Sequence, residues 1–163
     1  MVDLGEKQDC ICKKYNSVLP ECINDFIFQD SGKQIKLEPK NREKTILIAI
    51  DNCLITSNSR KKCDCLFIYK KENSTYSFLT ELKGRNDIPK AFLQLSLTRE
   101  YPEYKNIITF YKIPRNKQKF VIVSDIQLNK VDMRKLEHRY NIRVGQIIHS
   151  DPQSPIPDLK DKI

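Results

Sequence analysis

Apolar positions along the chain fall into helix-like and strand-like groups. Leu19, Ile23, Phe26 and Ile27 recur along one helical stripe, which predicts a first helix over about residues 18–29. Ser17 caps it, Pro20 is tolerated in its first turn, and Asp30-Ser31-Gly32 ends it. Residues 33–44 are polar, contain Pro39, and read as a loop or irregular edge. Three β-like runs follow: Thr45–Ile50, with an extension through Leu54 and Ile55 as the alternative, then Cys63–Tyr69, then Thr75–Lys83. The short link over residues 70–74 predicts an antiparallel hairpin between the second and third runs, and Gly84 stops the third.

A second helix is expected to begin at Asn86-Asp87, with Pro89 in its first turn, and to reach Glu100. Ala91, Phe92, Leu93, Leu95 and Leu97 make it apolar nearly all round, as in a helix buried against a sheet. Pro102 closes it. Residues 107–113 read as a strand, as does Phe120–Ser124; Val131–Tyr140 reads as a helix and Ile142–Ile148 as a final strand. The residues after Asp151 carry Pro152, Pro155 and Pro157 and are expected to lack regular structure. The order α-β-β-β-α-β-α-β predicts an α/β fold of mixed α+β character, with a central mixed four- to five-stranded sheet flanked by helices. It fills a single domain over residues 1–150, followed by a proline-containing tail over 151–163.

Composition narrows the function. A chain of 163 residues suits one core, and 39% hydrophobic with 31% charged residues excludes a disordered chain. No apolar run approaches the roughly 20 residues that span a bilayer. Residues 1–7 hold no apolar signal core, so the expectation is a cytoplasmic protein without membrane contact. Four glycines leave no phosphate-binding glycine loop, and two histidines, His138 and His149, cannot build a multi-histidine metal site. The six cysteines then read as reduced thiols. The pairs Cys10/Cys12 and Cys63/Cys65 lack zinc-finger spacing, although a metal site joining them is an alternative. On a strand, Cys63 and Cys65 point to one face and Asp64 to the other.

Charge is uneven. Residues 1–44 carry eight basic and eight acidic side chains, whereas residues 45–163 carry 21 and 13, the whole of the net +8. Between Lys105 and Arg143 ten basic groups face three acids. Such a surface favours a polyanion, because phosphate contacts release counterions. Lys112, Arg115, Lys117, Lys119 and Arg134 are the candidate contacts; a solvated lysine-rich surface is the plainer alternative.

The chemistry concentrates at Glu81-Leu82-Lys83. On a strand, Glu81 and Lys83 share a face, and a carboxylate beside an ammonium suits metal-assisted phosphodiester hydrolysis. Acid-x-Lys occurs four times, at Glu38, Glu81, Glu103 and Asp158, but only the Glu81 copy ends a β run preceded by another β run bearing an acid. That acid, Asp64, is the candidate second carboxylate, because Mg²⁺ usually takes one or two carboxylates plus waters and phosphate oxygens. Asp51 is a rival for its role. The plainer readings are an exposed ion pair for Glu81 and Lys83, and a strand-end acid bonded to amides for Asp64.

Asp64, then Ser77-Phe78-Leu79-Thr80-Glu81-Leu82-Lys83-Gly84, then a helix with Gln94-Leu95, resembles the PD-(D/E)XK nuclease superfamily, and most closely its small stand-alone bacterial members. The resemblance covers about residues 17–148. It implies a restriction-endonuclease-like core and Mg²⁺-dependent cleavage of DNA or RNA, with Mn²⁺ able to substitute. By carry-over, Asp64 and Glu81 bind the metal and Lys83 is catalytic. Glu21, and next Asp25, match the acid that members often add from the first helix, and Gln94 matches a glutamine seen in some branches. The tyrosine that closely follows it in one branch is absent, since Tyr101 lies seven residues on, and Asp64 follows Cys63 where a proline is usual. So small an enzyme is expected to act as a homodimer or through a targeting partner. The alternative is a non-catalytic nucleic-acid- or protein-binding module on the same fold.

Overall fold

The computed structural model describes residues 1–14, 19–84 and 87–163. Its strands are β1 (Ile27–Asp30), β2 (Lys33–Lys36), β3 (Glu43–Ala49), β4 (Cys65–Lys71), β5 (Ser74–Leu82), β6 (Gln118–Ser124) and β7 (Ile148–His149). Its helices are α1 (Ile88–Glu100), α2 (Pro102–Phe110) and α3 (Lys130–Tyr140). Strands β3 to β7 form one five-stranded mixed sheet in sequence order, and β1 and β2 form a separate hairpin. β3, β4 and β5 pair antiparallel, as the short link between the second and third β runs predicts. The chain then crosses over through α1 and α2 to bring β6 parallel to β5, and again through α3 to bring β7 parallel to β6.

Alternation along the strands sends side chains into two apolar layers. Ile48, Leu66, Ile68, Leu79 and Ile122 pack with Ala91, Phe92 and Leu95 of α1, Ile107 of α2 and Met133 of α3. Leu47, Phe67, Tyr69, Phe78, Val121 and Val123 face the other way, onto Phe28, Ile35 and Leu37 of the hairpin region. The helices therefore cover one face of the sheet and the hairpin covers the other. No described helix is long and apolar enough to cross a membrane.

Several elements differ from the sequence expectation. The described residues 19–30 form no helix: Cys22 bridges to Phe28, and Ile27–Asp30 is strand β1. Of the expected stripe only Ile27 lies in β1, opposite Lys36 of β2, and its neighbour Phe28 takes the buried face. Ser17 and Val18 lie outside the described residues, as does Asn86. Residues 33–36, read as loop, are β2. β3 stops at Ala49 and the chain turns before Leu54. α1 ends at Glu100 as expected, and Pro102 starts a further helix, α2, at the position where a missing N–H costs nothing; of the strand expected over 107–113, residues 107–110 lie in α2 and Tyr111 and Lys112 form the turn after it. The final strand is two residues long rather than seven. In the segment after Asp151, Leu159–Lys162 is a 3-10 turn, and Leu159 is fully buried in the hairpin-side layer.

The cysteines correct the thiol reading. Cys10–Cys53 and Cys12–Cys22 are disulfides, while Cys63 and Cys65 are free and buried. The pairs are joined across space, which local spacing does not reveal. Cys63 and Cys65 also do not share a face. Cys63 packs in the helix-side layer and Cys65 in the hairpin-side layer. Asp64 between them is a bend before β4, and its carbonyl accepts from both Ile50 N (2.9 Å) and Asp51 N (3.4 Å). Two residues opposing one is the pattern of a bulge on the Ile50–Asp51 side, and the bend at Asp64 breaks the strict alternation along its own chain.

Candidate active site

The site forms where β4 begins and β5 ends. Because β4 pairs β5 with Cys65 opposite Thr80, the bend residue Asp64 comes beside Glu81 and Leu82. The Asp64 N–H donates to Glu81 Oε2 (3.1 Å), and the Leu82 N–H donates to Asp64 Oδ2 (2.7 Å). Each carboxylate is thus oriented by the backbone of the other's strand. Lys83 Nζ lies 2.8 Å from Glu81 Oε1, with the Glu81 side chain 1% and the Lys83 side chain 15% exposed. That burial rules out a solvent-exposed ion pair. Asp64 is also buried.

Burying two acids side by side has a consequence. Desolvation, and then the charge of Glu81, push the Asp64 carboxyl well above the usual range, against the opposing Leu82 hydrogen bond. Desolvation pushes Glu81 up to about 7, although Lys83 pulls it back through charge and hydrogen bond. Burial disfavours the Lys83 ammonium, but Glu81 outweighs it and holds Lys83 above its ordinary value. Both acids therefore hold their protons more tightly than free carboxyls do.

Asp30 adds to this field, and the sequence reading treated it only as the end of a helix. Its charge raises both Asp64 and Glu81. It stands at the end of β1, and Ser31 (φ 52°) and Gly32 (φ 72°) complete the turn to β2. A turn acid in Asp-Ser-Gly carries no catalytic signal in one dimension; only the hairpin's packing on the sheet reveals it. Glu21 is not on a helix. It lines, with Asp30 and Lys33, a cavity of about 250 Å³, and its Oε2 is buried without a hydrogen-bond partner among the described residues. Asp25 accepts from the Lys14 N–H.

The other expected residues serve differently. Asp51 is 43% exposed and pairs with Lys62 Nζ at 3.4 Å, while its backbone, not its carboxylate, meets Asp64. Gln94, on α1, donates from Nε2 to Lys62 O (2.8 Å), which fixes the approach to Cys63; its Oε1 is buried without a hydrogen-bond partner among the described residues. Arg115, Lys119 and Arg134 line a separate basic cavity at the β6 edge. Lys117 instead donates to Ser74 Oγ (2.8 Å) and sits 5.4 Å from the Tyr76 ring. Lys112 is exposed in the turn after α2, with φ 53°.

Among the described residues no group of three or more His, Cys, Asp or Glu side chains is arranged to hold a metal ion. The two carboxylates of Asp64 and Glu81 fit the smaller requirement of Mg²⁺, which completes its shell with water and phosphate oxygens. Hard oxygen donors are the right type for it. No family model, curated protein or solved structure matches this chain.

Proposed function

We propose that this chain is a metal-dependent endonuclease of the PD-(D/E)XK type, hydrolysing phosphodiester bonds, with DNA the favoured substrate over RNA. The observation that carries the reading is the convergence of Asp64, Glu81 and Lys83 at one strand end, buried and mutually hydrogen-bonded. Three antiparallel strands followed by a helical crossover to a parallel fourth agree with the restriction-endonuclease-like core that the resemblance implies.

In this reading Asp64 and Glu81 hold Mg²⁺, or Mn²⁺ in its place. The ion supplies Lewis-acid neutralisation of the phosphate and a lowered pKa for bound water. The chain's own groups do the rest. The Leu82 and Asp64 amides hold the two carboxylates in fixed orientation. Lys83, fully protonated, leaves Glu81 Oε1 or shares it to meet the developing negative charge on the phosphate oxygens.

The test incubates purified protein with single- and double-stranded DNA and RNA, in Mg²⁺, in Mn²⁺ and in EDTA, with Lys83→Ala alongside. The expected result is cleavage that needs metal and falls at least about 100-fold in Lys83→Ala, the scale of losing one charge-stabilising donor. Salt-sensitive binding without cleavage of any substrate would contradict it and leave the binding module. That among the described residues no third acid is grouped with the pair to hold a metal is the observation that favours that second reading.

A further inference from the structure

A cavity lies away from Asp64 and Glu81, along the outer edge of β6. It is about 1010 Å³ in volume. β7 pairs only with Val123 and Ser124, so among the described residues no strand lies beside Gln118–Ile122 on that side. The sequence from Ile142 to Ile148 has strand character, yet it does not close this gap. Glu137 Oε2 accepts from the N–H groups of Val144 (2.8 Å) and Gly145 (3.0 Å), and Gln127 Nε2 donates to Ile147 O (3.1 Å). Gly145, at φ 79°, takes the left-handed turn that this path requires. The loop is thereby pinned to α3 and stands off the sheet edge.

The open edge has defined polarity. Val123 O accepts from Lys83 N on the β5 side (2.8 Å), and Ser124 O accepts from Ser150 N on the β7 side (3.2 Å). Alternate residues of a strand turn their main-chain groups to opposite neighbours, so both the N–H and the C=O of Phe120 are directed to the open edge. The rim is cationic: Arg115, Lys119, Arg134, Arg143 and Lys162 line it. Its one acid, Glu137, already spends an oxygen on two amides. Between the cations lie the apolar side chains of Phe120, Ile142 and Val144.

We propose that this edge is a docking site for an extended acidic peptide of a partner protein, which adds to the sheet as a sixth strand. A peptide strand satisfies both kinds of main-chain group on the edge, and its alternate side chains can place acids on the cations and apolar groups on the floor. A phosphate backbone carries acceptors only, so Phe120 C=O would face it without a donor. A second copy of the same edge would set cation against cation. Five open residues span about 17 Å, room for roughly five residues of a strand. The site stands independently of the nuclease reading, and gives a small chain a means of being targeted.

The test uses a fluorescein-labelled nine-residue peptide of alternating Glu and Val, read by anisotropy. A second peptide has each Val replaced by Pro, which keeps the charge and removes ladder N–H groups. The alternating peptide should bind saturably and slow hydrogen exchange at the Phe120 amide. The proline peptide should bind at least tenfold more weakly. So should the alternating peptide to Arg134→Glu/Arg143→Glu, both exposed positions that a charge change leaves folded. Lys83→Ala, outside the cavity, should bind it unchanged. The proposal is overturned by absence of binding, by equal binding of the proline peptide, or by an oligothymidine displacing the peptide and protecting Phe120 in its place. Absence of cleavage by the wild-type protein, with peptide binding retained, would sink the nuclease reading alone.

Discussion

Glu81 is the residue on which the chemistry turns. Its carboxyl is driven up to about 7, first by burial, with Lys83 opposing and Asp30 adding to the rise. Asp64 moves in the same direction, through burial and then the charge of Glu81. A carboxyl whose folded pKa exceeds its unfolded value binds its proton more tightly when folded. Its stabilising contribution is complete below the unfolded value and is lost as pH rises through the folded one. In chelator, stability should therefore fall between about pH 4.5 and 8, with Glu81 contributing on the order of 3 kcal/mol. Glu81→Gln should flatten this slope in urea denaturation at pH 5 and pH 8; an unchanged slope would show that Glu81 is ionised throughout. Asp30→Asn removes one of the charges that raise both acids, so it should move the fall to lower pH. A wild-type midpoint in that variant would mean that the hairpin acid does not reach the site.

At the scale of elements, the central strands and α1 were legible because their signals agree. β4 and β5 combine β-branched and aromatic runs with a short connection, and α1 couples an apolar surface to a proline in its first turn. That agreement also made Asp64, Glu81 and Lys83 readable as one group. The misses share a cause in tertiary contact. Residues 27–30 carry helix-compatible apolar spacing but pair with β2; Ile142–Ile148 carries strand residues but is held off by Glu137 and Gln127. The bend at Asp64 sends Cys63 and Cys65 to opposite layers, and a pattern of period two does not encode a bend. Leu159 illustrates the same point. A leucine among prolines and charges reads as tail, yet it is fully buried with Phe28, Ile35 and Leu37. Leu159→Ala should cost about 2–5 kcal/mol, the range for a buried leucine, as measured by urea unfolding. A cost under about 0.5 kcal/mol, typical of surface positions, would show that this segment is not part of the core.

At the scale of the whole molecule, the sheet separates its functions in space. The carboxylate pair sits where β4 and β5 meet, and the basic cavity lies along the β6 edge. The disulfides fasten the N-terminal segment to this frame, Cys10 to the turn after β3 and Cys12 to the residues before β1. Closing a loop between residues 43 apart removes unfolded-chain entropy worth about 2–4 kcal/mol. Cys10→Ser/Cys53→Ser should lower the melting temperature accordingly, while Cys63→Ala, a buried thiol with no bridge, should not reproduce that loss through the unfolded chain. The central claim is that Asp64 and Glu81 share a divalent cation, and calorimetric titration of Mn²⁺ at pH 7 tests it most directly. One site should appear, with proton release seen as a dependence of the heat on the buffer, and Asp64→Asn and Glu81→Gln should each abolish it. Mn²⁺ binding that survives either substitution, or no binding to the wild type, would contradict the account.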